Sequence, residues 1–186
     1  GMVDLVSVTS DAQTSDVGEF KRRFPGLHLL GTIPADPDDE WSFGTDVRAF
    51  DARDRPTFRS LSGPSPGRSA VPPEPFLWRV EKSDRNPWRS RISVGRAANN
   101  DLILRHHSIS KLHAHFHVGT LARLGLSHGD ELLLADAGSL NGTRVEGRRL
   151  QADETVKVAS GARIRFGDVE CQLLDAAALY ASLRSG

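Results

Sequence analysis

The sequence predicts an all-β sandwich in the C-terminal half of the chain, preceded by a mostly irregular extension and followed by a short helix. From Phe76 onward, apolar runs recur at intervals of roughly 8 to 12 residues. Turn-forming residues such as Asn141-Gly142 and Ser160-Gly161 separate these runs. The predicted strands are Phe76–Val80, Arg91–Val94, Leu102–Leu104, Leu112–Val118, Glu131–Ala135, Thr143–Val145, Thr155–Val158, Ala162–Phe166 and Val169–Leu174.

The N-terminal extension, residues 1–60, is predicted to hold one short helix. The helix has Ser15 or Asp16 available as its N-cap, and Pro25 breaks it. Its apolar residues, at nearly helical spacing, are Val17, Phe20, Phe24 and Leu27. Large aromatic residues farther along indicate that part of the extension packs on another surface; they are Trp41, Phe43, Phe50 and Phe58.

The remaining boundaries follow from composition and length. Residues 61–75 are rich in Ser, Gly and Pro, which bury little apolar surface, so a linker is predicted there. Residues 76–175 form the predicted sandwich domain, and residues 176–186 favour a helical tail. A chain of 186 residues is long enough for one domain of about 100 to 150 residues and an appendage.

The balance of charge argues against nucleic acid or a membrane as partner. Lys and Arg number 24, as do Asp and Glu, so no overall field attracts polyanions. The charges are unevenly placed, with 12 acidic and 8 basic residues in residues 1–74 and 12 acidic and 15 basic residues in residues 75–175. No apolar run reaches the roughly 18 residues needed to span a bilayer. The single cysteine, Cys171, fits a reducing, cytoplasmic location.

Three groups of polar residues fall where predicted strands meet loops. They are Gly95-Arg96, Ser110-Lys111-Leu112-His113 and Ser139-Leu140-Asn141-Gly142-Thr143. Loops at one end of a β-sandwich converge, and such loops on a rigid scaffold carry recognition groups. An arginine fork, a serine hydroxyl, a lysine and an asparagine amide together suit a phosphate group and the peptide backbone beside it.

In this order, the three groups resemble the signature of the forkhead-associated (FHA) domain: Gly-Arg, then Ser-x-x-His, then Asn-Gly. The resemblance covers roughly residues 76–175. It implies an FHA-like β-sandwich that binds phosphothreonine peptides, a recognition protein and not an enzyme.

The resemblance also implies roles for individual residues. Arg96 and Ser110 would hydrogen-bond the phosphate, Lys111 would add a charged donor, and Asn141 would hold the main chain of the ligand. The supporting residues are Gly95, which lets the backbone turn, His113, which braces the loop of Ser110, and Gly142 and Thr143.

One position departs from the family pattern. Many phosphothreonine-binding members carry a threonine before the asparagine, and its hydroxyl also reaches the phosphate; here that position is Leu140. The loss of one hydrogen bond to a charged group, worth about 1.5 to 3 kcal/mol, would weaken binding without abolishing it.

Other interpretations of the same residues stay open. Arg96 also fits an ordinary surface arginine, and Ser110 a loop-capping serine. His113, His115 and His117 lie at period two on one strand face, but neighbours on that face are about 7 Å apart, too far for all three to share one ion comfortably. No metal and no other cofactor are expected.

Enzyme motifs are missing from the sequence. There is no P-loop and no Gly-x-Gly-x-x-Gly, and residues 138–142 do not match a nucleophile elbow. The sequence therefore predicts a phosphothreonine-peptide-binding signalling adaptor. The alternative is a phospho-independent assembly module that uses the same loops. Opposite charges also lead us to expect an intramolecular contact between residues 1–60 and the domain.

Overall fold

A computed structural model of the protein describes residues 1–35, 73–117 and 131–185. In chain order the elements are β1 (Met2–Val3), α1 (Leu5–Thr14), α2 (Val17–Arg23), β2 (His28–Ile33), β3 (Glu74–Arg79), β4 (Arg91–Gly95), β5 (Leu102–Ile103), β6 (Ala114–His117), β7 (Glu131–Asp136), β8 (Thr143–Val145), β9 (Arg148–Arg149), β10 (Thr155–Ala159), β11 (Arg163–Phe166), β12 (Val169–Leu174) and α3 (Ala176–Ser185).

The strands form two sheets, which confirms the predicted all-β sandwich. One sheet has seven strands in the order β1-β3-β2-β12-β11-β8-β9, and the other has five in the order β10-β7-β6-β4-β5. The pairings are antiparallel except for β4 with β5. Each of the nine strands predicted from the sequence overlaps an observed strand.

The main apolar core lies between the two sheets. Phe116 and Leu134 enter it from the five-stranded sheet, and Trp78, Phe166 and Leu173 enter it from the seven-stranded sheet. Burying one such side chain contributes about 1.5 to 3 kcal/mol, so these alternating residues fix the register of the strands.

Residues 1–35 are more regular than the sequence predicted. The expected helix is present as α2, and the carboxylate of Asp16 caps it by accepting hydrogen bonds from the backbone N–H groups of Gly18 and Glu19. Helix α1 and strand β2 were not predicted. β2 lies between β3 and β12, so the extension supplies an interior strand of the seven-stranded sheet.

A second apolar cluster covers the outer face of the seven-stranded sheet. Phe20 of α2 and Leu179 of α3 pack there with Leu77 of β3 and Leu174 of β12. The ring of Tyr180 lies 5.3 Å from that of Phe20, and its hydroxyl donates a hydrogen bond to the Ser15 carbonyl. Helices α1, α2 and α3 are therefore held on the sandwich by the same kind of packing that forms the core.

Several predictions fall outside the described residues. These are most of the linker at residues 61–75 and the predicted packing of Trp41, Phe43, Phe50 and Phe58. The proposed division of the chain into domains stays a prediction. In the part of the chain that the structure describes, no helix is long and apolar enough to cross a membrane.

The buried imidazole of His28 makes stability depend on pH. His28 and Leu29 are neighbours on β2, so their side chains lie on opposite faces of the sheet. The side chain of His28 is completely buried, on the face that the helices cover. Burial, and secondarily the charge of Arg79, lowers its pKa to about 4. As the pH falls, His28 is protonated near pH 6.5 in the unfolded chain but only near pH 4 in the folded chain. Acid therefore favours unfolding between these two pH values.

We predict that lowering the pH from 7 to 4.5 costs about 2 to 3 kcal/mol of unfolding free energy through His28 alone. Asp101 and Asp136, whose pKa values are lowered, contribute below this window. Urea unfolding at the two pH values measures the loss. The variant His28→Leu should show a pH dependence smaller by that amount. An unchanged pH dependence in this variant would contradict the assignment.

Candidate functional site

Three loops meet at one end of the sandwich. The backbone N–H of Arg96, after β4, donates to the carbonyl of Ser110 at 3.1 Å. The backbone N–H of Leu140, after β7, donates to Ser110 Oγ at 3.1 Å, and Asn141 Nδ2 donates to the Ser108 carbonyl at 2.8 Å. Arg96, Ser110, Lys111 and Asn141, which the sequence singled out, are thus brought together from three separate loops.

Gly95 allows two of these loops to approach each other. A Cβ atom on Gly95 would collide with the carbonyl oxygen of Lys111 and would lie 2.8 Å from Asn100 Nδ2. Asn100, itself buried, donates to that same carbonyl at 2.6 Å. The expected reason for the glycine, a special backbone turn, is wrong, because its φ angle lies outside the left-handed region. Lack of space is what requires glycine here.

His113 joins the loop of Ser110 to the loop of Asn141. It is fully buried, and its Nδ1 accepts a hydrogen bond from the backbone N–H of Ser110 at 3.1 Å. The ring proton is therefore on Nε2, which donates to the Gly142 carbonyl at 3.1 Å. Burial lowers the pKa of His113, so the ring is neutral near pH 7. The bracing role of His113 stays a prediction, and these two hydrogen bonds are the contacts through which it would act.

Asp136 organises the third loop, a role that the sequence did not reveal. Its carboxylate accepts hydrogen bonds from the backbone N–H groups of Gly138 and Ser139 and from the hydroxyls of Ser139 and Thr143. Burial alone would raise the pKa of Asp136, but these bonds outweigh it and lower the pKa. Gly142 follows with a φ of 80°, and its N–H donates to Ser139 Oγ. Gly142 and Thr143 therefore hold the turn that presents Asn141.

Cationic side chains surround this arrangement. Arg96 and Lys111 are exposed, and in the described part of the chain the Arg96 guanidinium has no hydrogen-bond or ion-pair partner. A shallow depression beside it is lined by Arg96, Arg105, His106 and His107. Arg149 lies over Gly142, since a Cβ there would come within 2.9 Å of its guanidinium. Nothing in the sequence marks Arg105 and Arg149 as residues of this site, because only the folded loops bring them near the other site residues.

Among the described residues, the hydroxyl proton of Ser110 has no acceptor. Its oxygen accepts from the Leu140 N–H, which leaves the hydroxyl proton for another partner. The Leu140 side chain beside it is 84% exposed. The end of the sandwich therefore presents an arginine fork, a lysine, a hydroxyl donor, an amide and one exposed apolar group.

Comparisons with known proteins point to one family. The family model described as the FHA domain matches residues 92–167. No curated protein sequence matches the chain. The solved FHA domain of the CT664 protein from Chlamydia trachomatis is 18% identical, with a TM-score of 0.43, over 81% of this chain and 98% of that one. Mycobacterium tuberculosis EmbR, solved in complex with a low affinity phosphopeptide, is 25% identical, with a TM-score of 0.38, over 47% of this chain. The match spans only 20% of the EmbR chain.

We predict that His113→Ala lowers the free energy of unfolding by about 2 to 4 kcal/mol, because it opens a cavity and leaves the Ser110 N–H and the Gly142 carbonyl without their partner. Amide hydrogen exchange should also accelerate at Ser110. The control His107→Ala removes an exposed ring from the same loop and should change stability by less than about 1 kcal/mol. Equal stabilities for the two variants would show that His113 does not brace the loops.

Proposed function

Since residues 92–167 of this chain form an FHA domain, we propose that the protein is a signalling adaptor that binds phosphothreonine segments of partner proteins. The observation that carries the proposal is the exposed guanidinium of Arg96, which has no partner among the described residues, on a residue whose backbone N–H donates to the Ser110 carbonyl. An exposed arginine whose backbone is tied to the loop of a serine hydroxyl suits a phosphate dianion.

Each group has a distinct part in the proposed complex. Arg96 donates two parallel N–H bonds to phosphate oxygens, Ser110 donates its hydroxyl proton, and Lys111 adds a positive charge. Asn141 already uses one amide N–H for the Ser108 carbonyl. Its second N–H and its carbonyl oxygen remain for the main chain of the bound peptide. Gly95, His113, Gly142 and Thr143 fix the loops and do not touch the ligand.

Selectivity for phosphothreonine over phosphoserine requires contact with the additional methyl group. Burying one methyl group is worth about 0.8 kcal/mol, a factor of roughly four in affinity. We expect at least this preference, and any greater discrimination must come from the shape of the loops. The free, buried thiol of Cys171 suits a reducing compartment, and we place the adaptor in the cytoplasm.

A phospho-independent assembly module is the second candidate. The observation in its favour is Leu140, an exposed apolar side chain in the middle of the three loops. Such a residue can contact an unmodified partner. Matched peptides, with and without the phosphate, separate the candidates when titrated calorimetrically. Binding of the phosphorylated peptide alone supports the first candidate, and equal binding of both supports the second.

We predict that Arg96→Ala weakens phosphothreonine peptide binding by about 100- to 10,000-fold, since two charge-assisted bonds are lost. Thermal stability should be unchanged, because the guanidinium supports no other described residue. Arg96→Lys should restore binding only in part, because a point charge lacks the planar fork. Arg89→Ala, which removes an exposed arginine outside the three loops, is the matched control. Full affinity in Arg96→Ala would remove this residue from the site.

We predict that Leu140→Thr strengthens phosphothreonine peptide binding by about tenfold, because a hydroxyl beside Ser110 adds one hydrogen bond to a charged group. Leu140→Val is the matched control, since it has the shape of threonine without the hydroxyl. Isothermal titration of both variants with one peptide gives the comparison. If valine strengthened binding as much as threonine did, the effect would be one of shape and not of hydrogen bonding.

A further inference from the structure

Two histidines lie together on the outer face of the five-stranded sheet. His115 and His117 alternate along β6 with Ala114 and Phe116, which are fully buried in the core. Both histidine side chains therefore point away from the core and are half-buried. His113 precedes β6 and is buried among the loops, so it is not part of this pair.

The two imidazoles are closer than their positions on the strand require. Nε2 of His115 lies 2.9 Å from Nε2 of His117, with ring centroids 4.5 Å apart and planes inclined at 75°. Same-face residues are separated by about 7 Å along a strand. The two side chains must therefore lean toward each other, and one nitrogen donates the shared proton to the other.

This separation matches two adjacent ligands of a tetragonal metal ion. Two nitrogens each about 2.0 to 2.1 Å from one ion lie about 2.9 Å apart when the angle at the ion is 90°. At the tetrahedral angle that Zn²⁺ prefers, they would lie about 3.3 to 3.4 Å apart. Square-planar and tetragonal nitrogen sites are typical of Cu²⁺ and Ni²⁺, and Cu²⁺ also binds most strongly in the divalent series.

Three charged side chains on the other strands of this sheet act on a cation at the pair. Arg91 lies opposite His117 on β4 and opposes a cation, whereas the negative charge of Asp136 favours one. Lys157 is one strand farther away, opposite Leu133.

We propose that His115 and His117 form a bidentate site for a tetragonal divalent metal ion, Cu²⁺ in preference to Ni²⁺ and Zn²⁺. No group of three or more His, Cys, Asp or Glu side chains within residues 1–35, 73–117 and 131–185 could hold a metal. The site lies on the sheet face and does not use the loops proposed to bind phosphothreonine.

Titration of the full chain with Cu²⁺, with glycine present as a competing chelator, tests the proposal. We expect one equivalent to bind at pH 7, with a paramagnetic resonance spectrum of a tetragonal ion coupled to two nitrogens. His115→Gln and His117→Gln should each weaken binding by roughly 10- to 100-fold, because the second imidazole binds at high effective concentration. His107→Gln, which removes a histidine outside the pair, should leave the affinity unchanged.

Arg91→Ser provides an independent test that keeps both imidazoles. Removal of the opposing charge should tighten Cu²⁺ binding several-fold, more at low than at high ionic strength. Circular dichroism of each variant confirms that the fold is kept. The proposal is overturned if no equivalent binds more tightly than to glycine, if the glutamine variants at positions 115 and 117 bind as well as His107→Gln, or if Zn²⁺ binds more tightly than Cu²⁺.

Discussion

The loop end of this protein depends on one buried imidazole. His113 can satisfy the Ser110 N–H and the Gly142 carbonyl together only as the neutral tautomer with its proton on Nε2. Protonation would set an N–H of the ring against the N–H of Ser110, and burial already opposes it. Asp136 extends the same principle to the third loop by collecting four donors. The cationic side chains that we propose for phosphate recognition, Arg96 and Lys111, therefore extend from a hydrogen-bonded scaffold to which Ser110 and Asn141 also contribute.

The N-terminal residues are part of this scaffold and not an arm attached to it. Opposite charges led us to expect a contact in which aromatic side chains supply most of the attraction. Over residues 1–33 the contact is made by the pairing of β2 with β3 and β12 and by the packing of Phe20 and other apolar side chains. Charge between weakly charged surfaces is screened beyond about 8 Å at physiological salt and would contribute little. Deletion of residues 1–72 would therefore remove an interior strand of the seven-stranded sheet.

The sequence predicts the strands after Phe76 better than it predicts strand β2 or the arrangement of side chains. Strands after Phe76 were predicted because alternation and turn residues agree there. Strand β2 escaped prediction because it is covered by the core on one face and by helices on the other, so its run His28–Ile33 lacks alternation. The proposed binding residues were found through their order along the chain. The positions of Arg105 and Arg149, and the convergence of the two histidines of β6, depend on loop and side-chain conformation, which the spacing of residues in the sequence does not predict.

The central claim is that the three loops form one phosphothreonine site. Nitrogen–proton correlation spectra of the labelled full chain, recorded during titration with a phosphothreonine peptide and with its unmodified counterpart, test it most directly. The account predicts saturable shifts of the amides of Arg96, Ser110, Lys111 and Asn141 with the phosphorylated peptide alone. Shifts confined to other parts of the chain, or equal shifts with the unmodified peptide, would contradict it.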